Sequence, residues 1–348
     1  MMSFIPTFEA HAPLTHAVVS ALGTVREYRG KEALYRQQAP QALETLRQMA
    51  VIQSVESSNR IENVLAPAKR IRELVQQKTQ PRNRSEREIM GYRDVLNVIH
   101  LDYAAIPFSP NVVLQFHRDL LAYASEAGGG WKIADNTIAE IDPDGSRRLR
   151  FQPLPAYRTA DAMAELHDRF NASWDDGRVE RLLLVAAYVL DFLCIHPFAD
   201  GNGRMARLLT LLLLYRDGYS VGRFISLERI IEESKETYYE TLYASSQGWH
   251  EGRHDLAAWT EYLLGVIVRA YREFEERAGS VIQARGAKSE MVRAAIKSFS
   301  GTFAAKELQE RCPSVGLDLI RRILGEERRA GRIEVSGRGP EARWRRRV

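Results

Sequence analysis

The chain is poor in cysteine and lacks any long apolar run or low-complexity tract. Two cysteines, Cys194 and Cys312, cannot form a disulfide framework. That excludes the small cross-linked secreted scaffolds and fits a reducing cytosol. The longest apolar stretch, Leu182 to Leu190, stops at Asp191. A membrane helix needs about 18 or more apolar residues, so this stretch reads as a buried core helix. The opening MMSFIPTFEAHAPL has no basic region followed by an apolar core, so no secretion leader is expected. A cytoplasmic protein without a membrane partner is the expectation. Hydrophobic residues at 45% and charged residues at 27% exclude a collagen-like or largely disordered chain.

What the sequence does hold is unevenly spread. The 348 residues suggest two domains, or three. From Val281 to Val348 there are 16 Lys+Arg against 8 Asp+Glu, while the formal charge of the whole chain is only +4. A neutral-to-acidic body therefore carries a small basic C-terminal module. The body reads as mainly helical. Apolar spacing predicts helices over 42–65, 85–99, 111–125, 160–174, 180–195, 204–217, 227–243 and 256–279. Ser85 and Glu88 stand at capping-box spacing. One segment breaks the pattern: Lys132–Ile141 and Arg147–Gln152 flank Asp142-Pro143-Asp144-Gly145, which predicts a β-hairpin. Its edge could dock an extended peptide by strand addition.

In the last 65 or so residues, helices are expected over 289–298, 304–311 and 315–329, with Pro313 between the last two. Short strands at Ile333–Val335 and Ala342–Trp344 follow. Three helices and a two-stranded ribbon describe a winged helix-turn-helix. The third helix puts Leu317, Ile320 and Leu324 on one face, with Arg321 and Arg322 beside it. Such a module could hold DNA through its phosphates or bind another protein.

The informative stretch is His196-Pro197-Phe198-Ala199-Asp200-Gly201-Asn202-Gly203-Arg204-Met205-Ala206-Arg207, between two strongly apolar helices. A His ends one helix, a loop with two glycines follows, and a new helix begins near Gly203. Its free N–H groups and the positive end of its dipole make an anion site. Arg204 and Arg207 lie three residues apart, on one face. Asp200 offers a hard oxygen suited to Mg²⁺. Together these suggest phosphoryl or nucleotidyl transfer.

Position by position, His196 to Arg207 resembles the Fic family signature HPFx(D/E)GNGRxxR, and the resemblance extends over about Leu46 to Gly279. It implies a mainly α Fic helical bundle with a β-hairpin flap. With the C-terminal winged helix, it divides the chain into an N-terminal helical region (1–105), a catalytic domain (106–280) and a winged-helix domain (281–348). It also implies an enzyme that moves AMP from ATP to a Ser, Thr or Tyr hydroxyl of an unidentified protein target or of itself, with Mg²⁺ assisting. His196 would be the general base and Asp200 the Mg²⁺ ligand. Gly201, Asn202 and Gly203 would surround the phosphates, Arg204 would contact them, and Arg207 would reach the γ-phosphate. Tyr239 would be either nucleoside-side or core. Asn136, Thr137 and Ile138 would lie on the flap. The chain departs from the family pattern at Lys132, Asn136 and Ser246, where Arg, an apolar residue and Asn are more usual.

Upstream, Ser58-Asn59-Arg60-Ile61-Glu62-Asn63 resembles the family's inhibitory motif (S/T)xxxE(G/N). Ser58, Glu62 and Asn63 would then form a brake, with Glu62 making a bidentate pair with Arg207. In some members the same glutamate supports removal of AMP. Relatives commonly form dimers, so a homodimer is also implied. Two alternatives remain open: a nucleotide-sensing transcription regulator that binds DNA through the C-terminal module, and transfer of another nucleotide such as UMP. His250-Glu251-Gly252-Arg253-His254 matches HExxH. The flanking glycines disfavour a helix there, so an inter-helix loop is expected. His117, on an apolar helix, reads as a core histidine.

Overall fold

The computed structural model describes residues 3–4, 12–38, 40–124, 128–141, 147–283, 287–297, 299, 301–312, 315–337, 339 and 342–347. The expected turn residues Asp142 to Gly145 and Pro313 lie outside them. The chain is mainly helical and divides into two compact units, one of residues 1–29 and 47–271, the other of residues 30–46 and 272–348.

Helices α1 (His16–Gln38), α2 (Pro40–Ile61), α3 (Ala68–Val75), α4 (Arg84–Asp102) and α5 (Pro110–Leu120) come first. A hairpin of β1 (Ile138–Ile141) and β2 (Arg147–Phe151) follows, then α6 (Thr159–Asp176), α7 (Arg181–Ile195), α8 (Asn202–Arg216), α9 (Leu227–Glu233), α10 (Lys235–Ser246) and α11 (Ala257–Gln283). The last elements are α12 (Ala287–Lys297), α13 (Ala305–Arg311), α14 (Leu317–Arg329), β3 (Ile333–Ser336) and β4 (Arg343–Arg346).

Two helices make the centre of the larger unit. Leu182 through Phe192 of α7 and Arg204 through Tyr215 of α8 are buried without a break. A helix apolar on all sides is stable only when covered on all sides, and this pair is. The loop joining them is therefore anchored at both ends in the core. Helix α4 passes close to α5 at Gly91, where an added Cβ would lie 1.9 Å from the Leu120 carbonyl oxygen. Only glycine permits that approach, and it sets the position of α5.

Several local expectations are corrected. Asn83, not Ser85, caps α4 by accepting the Glu86 N–H, and Glu88 is turned to a tertiary partner described below. The helix expected over 227–243 is broken at Ser234, whose hydroxyl bonds the Ile230 carbonyl oxygen. Helices α1 and α3 were not anticipated. The hairpin is antiparallel, with Ile141 opposite Arg147 and an irregularity between Ile138 and Ala139.

In the smaller unit Val292, Ile296, Phe303, Leu308, Cys312, Ile320, Ile323, Leu324 and Ile333 form a core. Tyr35, from α1, and Trp344, from β4, pack against it. Phe303 and Trp344 exchange both backbone hydrogen bonds at 2.8 Å. Three helices and a two-stranded ribbon thus occur in the expected order. Ile320 and Leu324 are buried, Leu317 is half-buried, and Arg321 and Arg322 are exposed.

Candidate functional site

Among the described residues only three that are not glycine have a positive φ: Asn63, Gln77 and His196. Two of them belong to the site. His196 ends α7 at φ 51°, ψ 62°, the left-handed position that glycine usually fills. Such a conformation costs about 1–3 kcal/mol and persists where the surroundings over-determine it. Here they do. Phe198 is fully buried, worth about 1.5–3 kcal/mol. The His117 ring stacks on it at 3.6 Å, and the Trp131 ring at 5.3 Å. Asn202 accepts the Phe198 N–H at 2.9 Å and donates to the Phe198 carbonyl at 2.8 Å, closing the loop on itself.

The His196 imidazole is oriented by its own helix. Its Nδ1 lies 3.3 Å from the Leu193 carbonyl oxygen, which assigns the proton to Nδ1 and leaves Nε2 a free acceptor. Burial pushes its pKa down to about 4, and the Lys132 ammonium adds to the effect against the Leu193 hydrogen bond. The ring is neutral near pH 7, as a general base requires.

The first turn of α8 faces this histidine's loop. Gly201, at φ 82°, is the N-cap, and its N–H is held by Asp200 Oδ1 at 2.6 Å. The Asp200 carboxylate is half-exposed. Arg204 is buried, and its Nη1 bonds Glu88 at 2.7 Å, while Nη2 lies 3.5 Å from Asp200. Glu88, assigned from spacing to a local cap, is instead the counter-ion of Arg204.

Arg207 is also buried, with a different set of partners. Nε donates to Ser58 Oγ at 2.8 Å, and Nη2 donates to the Ser58 carbonyl at 2.9 Å and to Glu62 Oε1 at 2.8 Å. Burial works most strongly against its charge, but Glu62, Tyr238 and Tyr92 together offset it and hold its pKa above the usual arginine value. The ion contact is single, not the expected bidentate one: Ser58 takes Nε and shares Nη2. Nη1 is buried without a hydrogen-bond partner and lies beside Gly203. A Cβ on Gly203 would stand 2.1 Å from Glu62 Oε1, so the carboxylate rests directly on the start of α8. Asn63, left-handed at φ 60°, ends α2 and lets the chain turn so that Glu62 points inward. Lys235 Nζ donates to the Ile61 carbonyl at 2.8 Å, a cation at the C-terminus of α2.

The other expected positions are separated. Tyr239 is 42% exposed, with the Lys235 ammonium 5.9 Å from its ring centroid, so it is a rim residue; the core tyrosine is Tyr238. Of the three flap positions, Thr137 is exposed and Ile138 is the half-buried start of β1. Asn136 instead turns to the loop between α7 and α8, donating to the carbonyls of Phe198 at 3.0 Å and His196 at 3.4 Å. His117 also exceeds its expected role. It accepts the Gly129 N–H at Nδ1, so its Nε2–H donates to the Asp200 carbonyl at 3.1 Å. In the HExxH segment, His250 meets the Gln152 carbonyl and His254 the Ser3 hydroxyl, so the two rings serve different partners.

Residues 107–214 match the Fic/DOC family. A Fido domain-containing protein from Dictyostelium discoideum is 26% identical over 122 residues, covering 35% of this chain and 78% of that relative. The crystal structure of a Fic family protein from Desulfovibrio desulfuricans G20 covers 96% of this chain and 97% of its own, with 22% identity and a TM-score of 0.62. A Fic domain containing signaling protein from Bacteroides thetaiotaomicron covers 74% of this chain and 97% of its own, at 20% identity and a TM-score of 0.63. These structures share the helical fold. The loop and the helix start built above lie inside the matched residues, and the chain therefore carries a Fic/DOC family domain.

Proposed function

We propose that the chain is a protein adenylyltransferase held in check by its own α2. The observation that carries this reading is the cradle at Gly203. A buried, unpartnered Arg207 Nη1 and the first turn of α8 converge there on a carboxylate that already occupies an anion's place.

In this reading the polyphosphate of ATP lies over Gly201, Asn202 and Gly203, drawn by the helix N–H groups and Arg207. The Asn202 side chain is committed to the loop, so its share is the backbone N–H. A target hydroxyl reaches His196 Nε2, which takes its proton. The hydroxyl oxygen bonds the α-phosphorus as the bond to the β-phosphate oxygen breaks, and pyrophosphate leaves. Asp200 fits Mg²⁺ as one half-exposed hard oxygen beside the phosphates, since Mg²⁺ keeps most of its waters and binds through one or two carboxylates. When bound, the ion would neutralise phosphate charge. Arg204, anchored by Glu88, holds the Asp200 side of the loop, and in this reading it shares a phosphate oxygen. Glu62 prevents the productive pose by holding Arg207 and the space over Gly203.

Intact-mass spectrometry after incubation with ATP and Mg²⁺ tests the reading, with wild type, Glu62→Gly and Glu62→Gly/His196→Ala compared. A gain of one AMP in the single mutant, absent from the double mutant, is expected. Equal incorporation by wild type and Glu62→Gly would remove the brake from the proposal. No adduct in any sample, with ATP still bound, would remove self-transfer.

A second reading concerns the smaller unit, where Arg321, Arg322, Arg328, Arg329, Arg343, Arg345, Arg346 and Arg347 are exposed. That density favours a nucleic-acid backbone as its partner. A mobility-shift titration over a salt series, with competitor DNA, is the test; no shift at low salt would refute it.

A further inference from the structure

Four consecutive carbonyl oxygens, from Ile195 to Phe198, each accept a hydrogen bond from one of two residues at the base of the hairpin. Lys132 Nζ donates to the Ile195 carbonyl at 3.0 Å, and the Lys132 backbone N–H donates to the Pro197 carbonyl at 2.8 Å. Asn136 Nδ2 donates to the carbonyls of His196 at 3.4 Å and Phe198 at 3.0 Å. Lys132 also donates to Asn136 Oδ1 at 2.8 Å. That last contact fixes the amide, because with Oδ1 facing an ammonium its NH₂ can only face the loop. The Lys132 side chain is buried and sits at the C-terminal end of α7, where a cation is favoured by the last carbonyls and the helix dipole.

We propose that Lys132 and Asn136 are positioning residues that hold His196 in its left-handed conformation and make the hairpin base and the catalytic loop one rigid piece. The inference rests on the transfer reaction proposed above only for its kinetic consequence; the conformational consequence stands alone. Without the brace, the carbonyls of 195, 196 and 197 lose the protein donors given above, and the residue between them is the one in the costly conformation. His196 then relaxes toward ordinary backbone angles and its imidazole leaves the line of attack. The same pair links the catalytic base to the strand a protein target would approach. Asn136 lies two residues before β1, and its carbonyl accepts from Gln152, just past β2, at 3.1 Å. Neither residue is expected to touch ATP.

The test uses the full chain in the Glu62→Gly background, with Asn136→Asp, Asn136→Ala, Lys132→Met and Lys132→Arg. Asn136→Asp keeps the shape but removes the two donors. The expected result is a fall in kcat of about 10- to 100-fold for Asn136→Asp, Asn136→Ala and Lys132→Met, with KM for ATP within about twofold. Lys132→Arg, which retains charge and donors, should recover to within about threefold. In parallel, the Cα and Cβ chemical shifts of labelled His196 should leave their left-handed values in Asn136→Asp and keep them in Lys132→Arg. Unchanged His196 shifts in Asn136→Asp would overturn the proposal, as would a loss appearing only in KM. If the parent shows no transfer at all, the chemical shifts still decide the brace while the transfer reading fails.

Discussion

On one side of the catalytic loop, α4, α5 and the hairpin base hold it with buried and part-buried contacts. Lys132, Asn136 and His117 bond its carbonyls, and the Arg204–Glu88 pair beside it is almost wholly buried, at 1% and 6% side-chain exposure. On the other side, α2 reaches the same helix start through Ser58 and one ion contact, from a Glu62 side chain that is 30% exposed. The two arginines concerned are three residues apart on one helix. Their difference is one of release. A buried pair can be broken only by leaving a charge stranded, whereas Glu62 can move into water and leave Arg207 to Ser58 and an incoming phosphate. The more buried side fixes geometry; the half-open side is fit to be a switch.

That contrast can be broken by experiment. The largest effect is expected at the base itself: in the Glu62→Gly background, His196→Ala should lower AMP incorporation by about 10²- to 10⁴-fold. Equal rates would show that the loop does not act through His196. Next is Glu88→Gln, which takes the 2.7 Å counter-ion from buried Arg204, leaves only Asp200 at 3.5 Å, and should lower unfolding free energy by about 3–5 kcal/mol. Glu62→Gly removes the carboxylate from Arg207 but leaves its two Ser58 bonds, and should cost less, about 1–3 kcal/mol, while raising activity. Urea unfolding of both variants would erase the contrast if their losses matched. Gly91→Ala, which drives a methyl into the Leu120 carbonyl, should cost about 1–3 kcal/mol by overpacking, read as a drop in Tm.

A further effect is on pH dependence. Burial lowers the pKa values of His117, His167 and His196 to about 4, and of His100 to about 3. In that range the unfolded chain binds protons that the folded chain refuses. Stability should therefore fall as pH drops from about 6.5 toward 4. Asp191, raised to about 7 by burial, acts in the opposite sense and moderates the fall. His117→Gln should flatten the acid limb of unfolding free energy against pH; an unchanged limb would contradict a neutral buried His117.

The helical character, the hairpin, the central apolar pair and the order of elements in the smaller unit were all legible in the sequence, because periodicity and turn chemistry are local. So was the His196–Arg207 stretch, whose residue types at fixed spacing carry their own chemistry. Asn63 was legible in principle, since Asn tolerates a left-handed backbone where most residues do not. What the sequence could not show is which residues serve that stretch from a distance. Glu88 looked like a cap because capping spacing is local, but its partner Arg204 lies 116 positions away. Lys132 and Asn136 looked like flap residues out of pattern, and only the packed hairpin reveals that their donors count out four loop carbonyls. Tyr239 read as either nucleoside-side or core, and burial places it at the rim with Tyr238 in the core. Local chemistry is written residue by residue, but hydrogen-bond satisfaction and counter-ions are settled only when the chain has closed and water has gone. The tertiary structure alone therefore decides which arginine is locked and which can be released.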